Sequence, residues 1–237
     1  MIFQDPMTSL NPVKKVSDHF IELFKTHVPS MSEQDARSKT ADLLDSLEIG
    51  RSRMDDNPHQ FSGGMRQRVM IGLSLVLNPK LVIADEPTTA LDVIVEAQIL
   101  ELMKKLKEEH GLTLILITHN IGIVAEMTDY VAVMYAGQII EFGSTNDIFE
   151  DSLHPYTKGL LESAPNITPE GQLMKPIPGT PPDLLLPPTG CKFHPRCPRA
   201  FDVCPAHEPR LLQVQISPAA LNTPSVVRLI NQLQMLP

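Results

Sequence analysis

Two short runs hold the residues able to do chemistry. Phe61-Ser62-Gly63-Gly64-Met65-Arg66-Gln67-Arg68 places a serine and two glycines at the mouth of a helix. Unpaired backbone N–H groups and the positive end of the helix dipole favour a phosphate there. One helix later, Leu81-Val82-Ile83-Ala84-Asp85-Glu86-Pro87-Thr88-Thr89-Ala90-Leu91-Asp92 is an apolar strand that stops at two adjacent carboxylates. Such a pair can hold Mg²⁺ through water and polarise an attacking water molecule. Taken singly, Ser-Gly-Gly is an ordinary flexible loop and Asp-Glu a solvated turn; in this order they read together as nucleotide hydrolysis.

The elements that must position these residues follow from periodicity and caps. Val13 to Val28 and Ser32 to Leu47 read as two helices of a small helical subdomain, the second capped by Ser32 and stopped by Gly50. A third helix starts at the Ser-Gly-Gly run, carries Met65, Val69, Leu73, Val76 and Leu77 as its expected core face, and ends at Asn78-Pro79. Leu81 to Ala84 and Leu112 to Thr118 read as buried strands flanking an amphipathic helix, Asp92 to His110, with Val95, Ile99, Leu102 and Leu106 inward. Strand, helix, strand implies a parallel α/β sheet. Ile121 to Met127 gives a short helix, and Tyr130 to Tyr135 with Gln138 to Phe142 form two strands around Ala136-Gly137. Beyond Asp151 proline becomes frequent, as in Pro176-Ile177-Pro178-Gly179-Thr180-Pro181-Pro182, and a loop-rich appendix is expected.

Composition narrows the function. With 237 residues, 42% of them hydrophobic, the chain can bury a core. A net charge of -8 without a basic cluster argues against a nucleic-acid partner. No apolar run approaches the roughly 18 residues of a membrane span, so the expected setting is cytoplasmic, with membrane contact through partner subunits. Cys191, Cys197 and Cys204 lie in one short stretch, a clustering that suits a metal site better than a disulfide framework.

In order and spacing, the two opening runs resemble the signature motif, Walker B strand and D-loop of ABC-transporter ATP-binding subunits. Phe3-Gln4-Asp5-Pro6-Met7-Thr8-Ser9-Leu10-Asn11-Pro12 resembles the Q-loop of the oligopeptide/dipeptide importer branch. The fifth signature position, Met65, and the tail motifs His154-Pro155-Tyr156-Thr157, Leu160-Leu161, Pro165, Pro178-Gly179 and Gly190-Cys191-Lys192-Phe193-His194-Pro195-Arg196-Cys197-Pro198 resemble the same branch.

The resemblance implies an α/β fold, a P-loop NTPase core of ABC type, with a helical signature subdomain and a Pro-rich C-terminal extension. Its parts are 1–79 (Q-loop and signature subdomain), 80–151 (Walker B and switch-histidine half of the ATPase core) and 152–237 (extension). No glycine in the sequence is followed by lysine, so the Walker A run Gly-x-x-x-x-Gly-Lys-Ser/Thr is missing. The core is therefore expected to be N-terminally incomplete, and the chain alone inactive.

By resemblance Glu86 activates the lytic water, His119 contacts the γ-phosphate and braces Glu86, and Gln4 senses the γ-phosphate side. Asp85 and Gln4 hold Mg²⁺, and Ser62, Gly63, Gly64, Met65 and Asp92 bind nucleotide across a subunit interface. Asp92 can equally be the N-cap of the following helix. Asn120 stands where the family usually has Asp, and modest tuning is expected from it. Cys191, Cys197 and Cys204 match three of the four cysteines that ligate an iron–sulfur cluster in the branch; His194, His207 or an outside ligand completes the site, or the site is degenerate. ATP and Mg²⁺ are the implied cofactors. Implied partners are a second ABC ATPase subunit, two transmembrane permease subunits and, indirectly, an extracytoplasmic peptide-binding protein, all at the cytoplasmic face of the cell membrane. The implied function is energising uptake of oligopeptides or dipeptides, with nickel and oligosaccharides as the cargo of related importers. The rivals are a truncated, non-hydrolytic subunit that completes a partner's ATP site and a soluble ABC protein of translation or DNA repair, against which the tail counts.

Overall fold

Asp18 sets the start of the first helix in the computed structural model, which describes residues 1–5, 9–89, 91–164, 175–215 and 227–232. Its carboxylate accepts the Lys15 backbone N–H at 3.2 Å, so α1 runs Val16–His27. The expected start at Val13 is three residues early: Val13 is exposed, and its N–H is held by the Asn11 side chain at 3.1 Å. Expectations on Pro6, Met7, Thr8, Ala90 and Pro165 fall outside the described residues. Two compact units form, 1–119 and 120–237.

In the first unit, α2 (Glu33–Ser46) is capped by Ser32, whose hydroxyl accepts from the Asp35 N–H at 3.1 Å. After two 3₁₀ turns, 51–55 and 58–60, comes α3 (Gly63–Leu75). The face expected to be buried on α3 is wrong: Gln67, Val69, Met70, Ile71, Gly72 and Leu75 are buried, while Met65, Leu73 and Val76 are half-buried and Leu77 exposed. The reason is packing on more than one side, so no single stripe marks the core. A Cβ on Gly72 would approach Leu47 Cδ1 to 2.6 Å and the Phe20 ring to 3.2 Å, which is how closely α3 nests in the helical subdomain. On another side, Ile71 and Leu75 share a small apolar cavity of about 20 Å³ with Val82, Met103, Leu106 and Leu114.

The sheet of this unit joins β1 (Leu81–Asp85) to β2 (Thr113–Ile117) in parallel, in register from Leu81↔Thr113 to Asp85↔Ile117. The intervening helix α4 (Val93–His110) buries Ile99, Leu100, Leu102, Met103 and Leu106 and ends at Gly111 in the left-handed region, as a C-terminal glycine should. Ile2 adds a parallel bridge on the other edge of β1, its N–H bonding Ile83 O at 2.8 Å and its carbonyl accepting from Asp85 N at 3.0 Å. The second strand is less buried than its apolar run suggested, with Ile115 and Ile117 about half exposed. Among the described residues β2 pairs with β1 alone.

The second unit starts with α5 (Ile121–Met127), capped by the Asn120 side chain on Gly122 N–H at 3.1 Å. The hairpin β3 (Tyr130–Tyr135) and β4 (Gln138–Ser144) turns at Ala136 and Gly137, φ +48° and +78°. Two successive left-handed residues match the twist of a tight hairpin. After α6 (Thr145–Asp151) and α7 (Pro155–Glu162) come two strands that the sequence reading did not anticipate, β5 (Arg210–Gln215) and β6 (Val227–Gln232). They complete an antiparallel sheet of order β3-β4-β6-β5.

A buried polar junction ties β4 to α7. The fully buried Glu141 carboxylate accepts the backbone N–H groups of Leu153 at 2.6 Å and His154 at 3.2 Å. His154 Nδ1 in turn accepts the Tyr156 N–H at 3.0 Å and caps α7. Burial pushes the His154 pKa down to about 4. Because the unfolded chain takes up this proton near pH 6.5 and the native state does not, stability is full above pH 6.5. It declines as the pH falls from there towards 4, by about 3 kcal/mol. Denaturant unfolding at pH 7.5 and pH 5 measures this. His154→Asn, which keeps a capping acceptor without the titration, is expected to flatten that part of the profile; an unaltered slope in the variant assigns the loss to other groups.

Candidate nucleotide site

The C-terminal end of β1 brings the acidic pair to a fixed place. Glu86 N–H bonds Ile117 O at 2.9 Å, extending the strand pairing by one residue before the chain turns with Glu86 at φ +46°. A non-glycine residue held in this region costs on the order of 1–3 kcal/mol, and such strain gathers at functional sites. Both carboxylate oxygens are bonded. Oε1 accepts from the His119 backbone N–H at 3.2 Å and from His119 Nδ1 at 2.7 Å, and Oε2 accepts the Thr89 hydroxyl at 2.5 Å. Burial raises the Glu86 pKa, but the Thr89 and His119 bonds outweigh it and hold the carboxyl below its ordinary value. Glu86 is therefore ionised at neutral pH. Since a carboxylate only accepts, Nδ1 of His119 carries a proton, leaving Nε2 on a ring that is 76% exposed.

Asp85 is half-buried, one residue before Glu86. The parallel bridge Ile2↔Ala84 brings the N-terminal segment alongside this strand, two residues before exposed Gln4. Asp85 and Gln4 offer hard oxygen donors, and Mg²⁺ is normally held by one or two protein oxygens together with water and phosphate. The donor set fits that ion.

The signature forms a second cluster. Phe61 is buried beneath the Arg53 guanidinium, 4.8 Å from its ring centroid, and Arg66 Nη1 donates to Phe61 O at 2.9 Å. This fixes the entry to α3, where the Ser62 hydroxyl accepts the Met65 N–H at 3.3 Å. Gly63 and Gly64 occupy the first turn against the start of α4: a Cβ on Gly64 would fall 2.5 Å from Val95 Cγ1, and one on Gly63 3.7 Å from Leu91 Cδ2. The second glycine thus serves helix packing as well as an open helix mouth. Asp92 caps α4, its carboxylate accepting Val95 N–H at 3.0 Å.

For the tail cysteines two readings stood open, a metal site completed by His194, His207 or an outside ligand, and a degenerate site. Among the described residues no group of three or more His, Cys, Asp or Glu side chains is arranged to hold a metal ion, and a closed iron–sulfur site needs four ligands where the chain has three cysteines. The structure instead makes a compact knuckle. Cys191 N–H bonds Cys204 O at 2.9 Å, and Gly190, φ +62°, passes so close that a Cβ would meet Cys204 O at 2.3 Å. Phe193 is buried against Tyr135, Tyr156 and His154, and Arg196 donates to Pro178 O at 2.9 Å and Tyr135 Oη at 3.3 Å. Burial raises the thiol pKa of Cys191 and Cys197.

One residue at the strand end escaped the sequence reading. Thr89, inside the quoted motif but given no role there, is the hydroxyl on Glu86. Its place three residues on, across a turn closed by Thr89 N–H to Glu86 O at 3.3 Å, was the available signal.

Residues 1–89 match the ABC transporter family model, and residues 140–204 match the one for the oligopeptide/dipeptide transporter C-terminal region. The chain is 50% identical over 206 residues to the oligopeptide transport ATP-binding protein OppD of Salmonella typhimurium, covering 86% of this chain and 61% of that protein. It is also 50% identical to the dipeptide transport ATP-binding protein DppD of Bacillus subtilis, with the same coverage. It spans about three fifths of the length of these relatives. Among solved structures, cbiO1 of Clostridium perfringens, part of the ABC transporter complex cbiONQ, aligns with TM-score 0.55 and 31% identity over 63% of this chain and 58% of that one. A post-hydrolysis dimer of the ATP-binding cassette MJ0796, bound to ADP and Pi, aligns with TM-score 0.53 and 29% identity over 61% of each chain. Its motifs, its fold and the two matched regions agree: the chain belongs to the ABC transporter ATP-binding family, in the branch of oligopeptide and dipeptide transport ATP-binding proteins.

Proposed function

We propose that the chain is the ATP-binding and ATP-hydrolysing subunit of an ABC importer that energises uptake of oligopeptides or dipeptides. The observation that carries this reading is the ionised Glu86, bonded at both oxygens and braced by His119 at the end of β1. Glu86 orients the lytic water and accepts its proton. Asp85 and Gln4 hold Mg²⁺, which when bound neutralises charge on the phosphates. His119 braces the Glu86 carboxylate through Nδ1 and contacts the γ-phosphate. Ser62, Gly63, Gly64 and Met65 present the α3 helix end to the ATP of a second ATPase subunit, and Asp92 anchors the loop beside them.

In this reading 1–79, 80–151 and 152–237 are the Q-loop and signature part, the hydrolytic part and the importer extension. The chain works at the cytoplasmic face of the membrane with a second ATPase subunit and two permease subunits, and an extracytoplasmic binding protein delivers peptide. No step passes through the tail cysteines. The names of its relatives support peptide as cargo. Uptake of labelled peptide by cells lacking and then regaining the gene tests it: restored peptide uptake is expected, whereas restored nickel or oligosaccharide uptake with no peptide uptake contradicts the substrate.

A further inference from the structure

We infer that Thr89 is a positioning residue for ATP hydrolysis, aiming the Glu86 carboxylate and tying it to the loop that leads into α4. The inference rests on the hydrolytic reading above. Two bonds join the same pair of residues: Thr89 Oγ1 donates to Glu86 Oε2 at 2.5 Å, and Thr89 N–H donates to Glu86 O at 3.3 Å. The next turn closes by Leu91 N–H to Thr88 O at 3.0 Å, and Asp92 then caps α4. Backbone and side chain of Glu86 are thus pinned to a short segment whose far end is the start of an 18-residue helix.

The bond also has a directional role. His119 holds only Oε1, and a carboxylate held at one oxygen can still swing about its terminal torsion, a broad and soft coordinate. The Thr89 hydroxyl on Oε2 removes that freedom, leaving the carboxylate plane fixed between two elements, β2's end and the turn after β1. Orientation of this kind contributes to rate without touching substrate.

Thr89→Val removes the donor at nearly constant shape, and Thr89→Ser restores it. In the protein assembled with its partner subunits, Thr89→Val is expected to lower kcat for ATP about tenfold, with KM unchanged, and Thr89→Ser to stay near wild type. Against a Glu86→Gln background, single-turnover rates are expected to show no further loss from Thr89→Val, since the residue acts only through Glu86. The ¹³C resonance of the Glu86 carboxyl at fixed pH gives a readout besides turnover: it moves in Thr89→Val and returns in Thr89→Ser. An unmoved resonance, wild-type kcat in Thr89→Val, or an equal loss in the Glu86→Gln background overturns the inference. Glu86→Gln turning over ATP as fast as wild type instead overturns the hydrolytic reading, and the carboxyl resonance then still decides whether Thr89 holds Glu86.

Discussion

Glu86→Gln in the protein assembled with its partner ATPase and permease subunits is expected to lose ATP turnover by about 10²–10⁴-fold. Steady-state turnover with and without the substitution measures it. The amide keeps the length of the side chain and one oxygen for His119 but cannot take a proton from water. ATP affinity is expected to persist, because the bond to Thr89 and the strand pairing through Glu86 N–H to Ile117 O keep the strand end in place. The loss should therefore fall on kcat. A fall in ATP affinity at constant kcat would show instead that Glu86 serves binding.

Ser62→Arg is the second large effect. It places bulk and charge at the α3 helix mouth, where the neighbouring subunit's ATP docks in the proposed assembly. Removing donors aimed at developing phosphate charge costs roughly 10²-fold in rate. The substitution also deletes the Ser62 cap on Met65 N–H, worth about 1 kcal/mol, so Ser62→Ala serves as the control that loses the cap and leaves the helix mouth open. Mixed with a partner subunit that carries a Gly-Lys-Ser/Thr loop, the wild-type chain is expected to raise ATP turnover. Ser62→Ala should keep most of that gain and Ser62→Arg none of it. Equal turnover with all three rejects the helix end as the partner's cap.

The elements legible in the sequence were those with local signals. Asp92 followed by the spacing of Ile99, Leu102 and Leu106 set α4, and Ser32 capped a helix as read. Where contacts are long-range, the sequence reading failed. Gly72 lies deep against Phe20 and Leu47, which no period within α3 reveals, and the burial of Gln67 runs against its polarity. The apolar run of β2 suggested a buried strand, yet Ile115 and Ile117 are half exposed, because burial depends on what covers a strand rather than on its composition. Strands β5 and β6 pair with each other over six residues and reach the hairpin only where β6 meets β4 at Glu141 and Phe142, a contact distant in sequence. At the site, the motifs pointed to Asp85, Glu86 and His119, whereas the φ of Glu86 and the Thr89 hydroxyl that holds it are properties of the folded turn.

The most direct test of the hydrolytic assignment is the chemical identity of the nucleotide held by the assembled ATPase pair when the partner subunit's own catalytic carboxylate has been replaced. The complex is incubated with ATP labelled at the α-phosphate and Mg²⁺, freed of unbound nucleotide, and its contents are separated. ADP is expected from the wild type and unhydrolysed ATP from Glu86→Gln; ADP formed by Glu86→Gln at the wild-type rate would contradict the hydrolytic assignment.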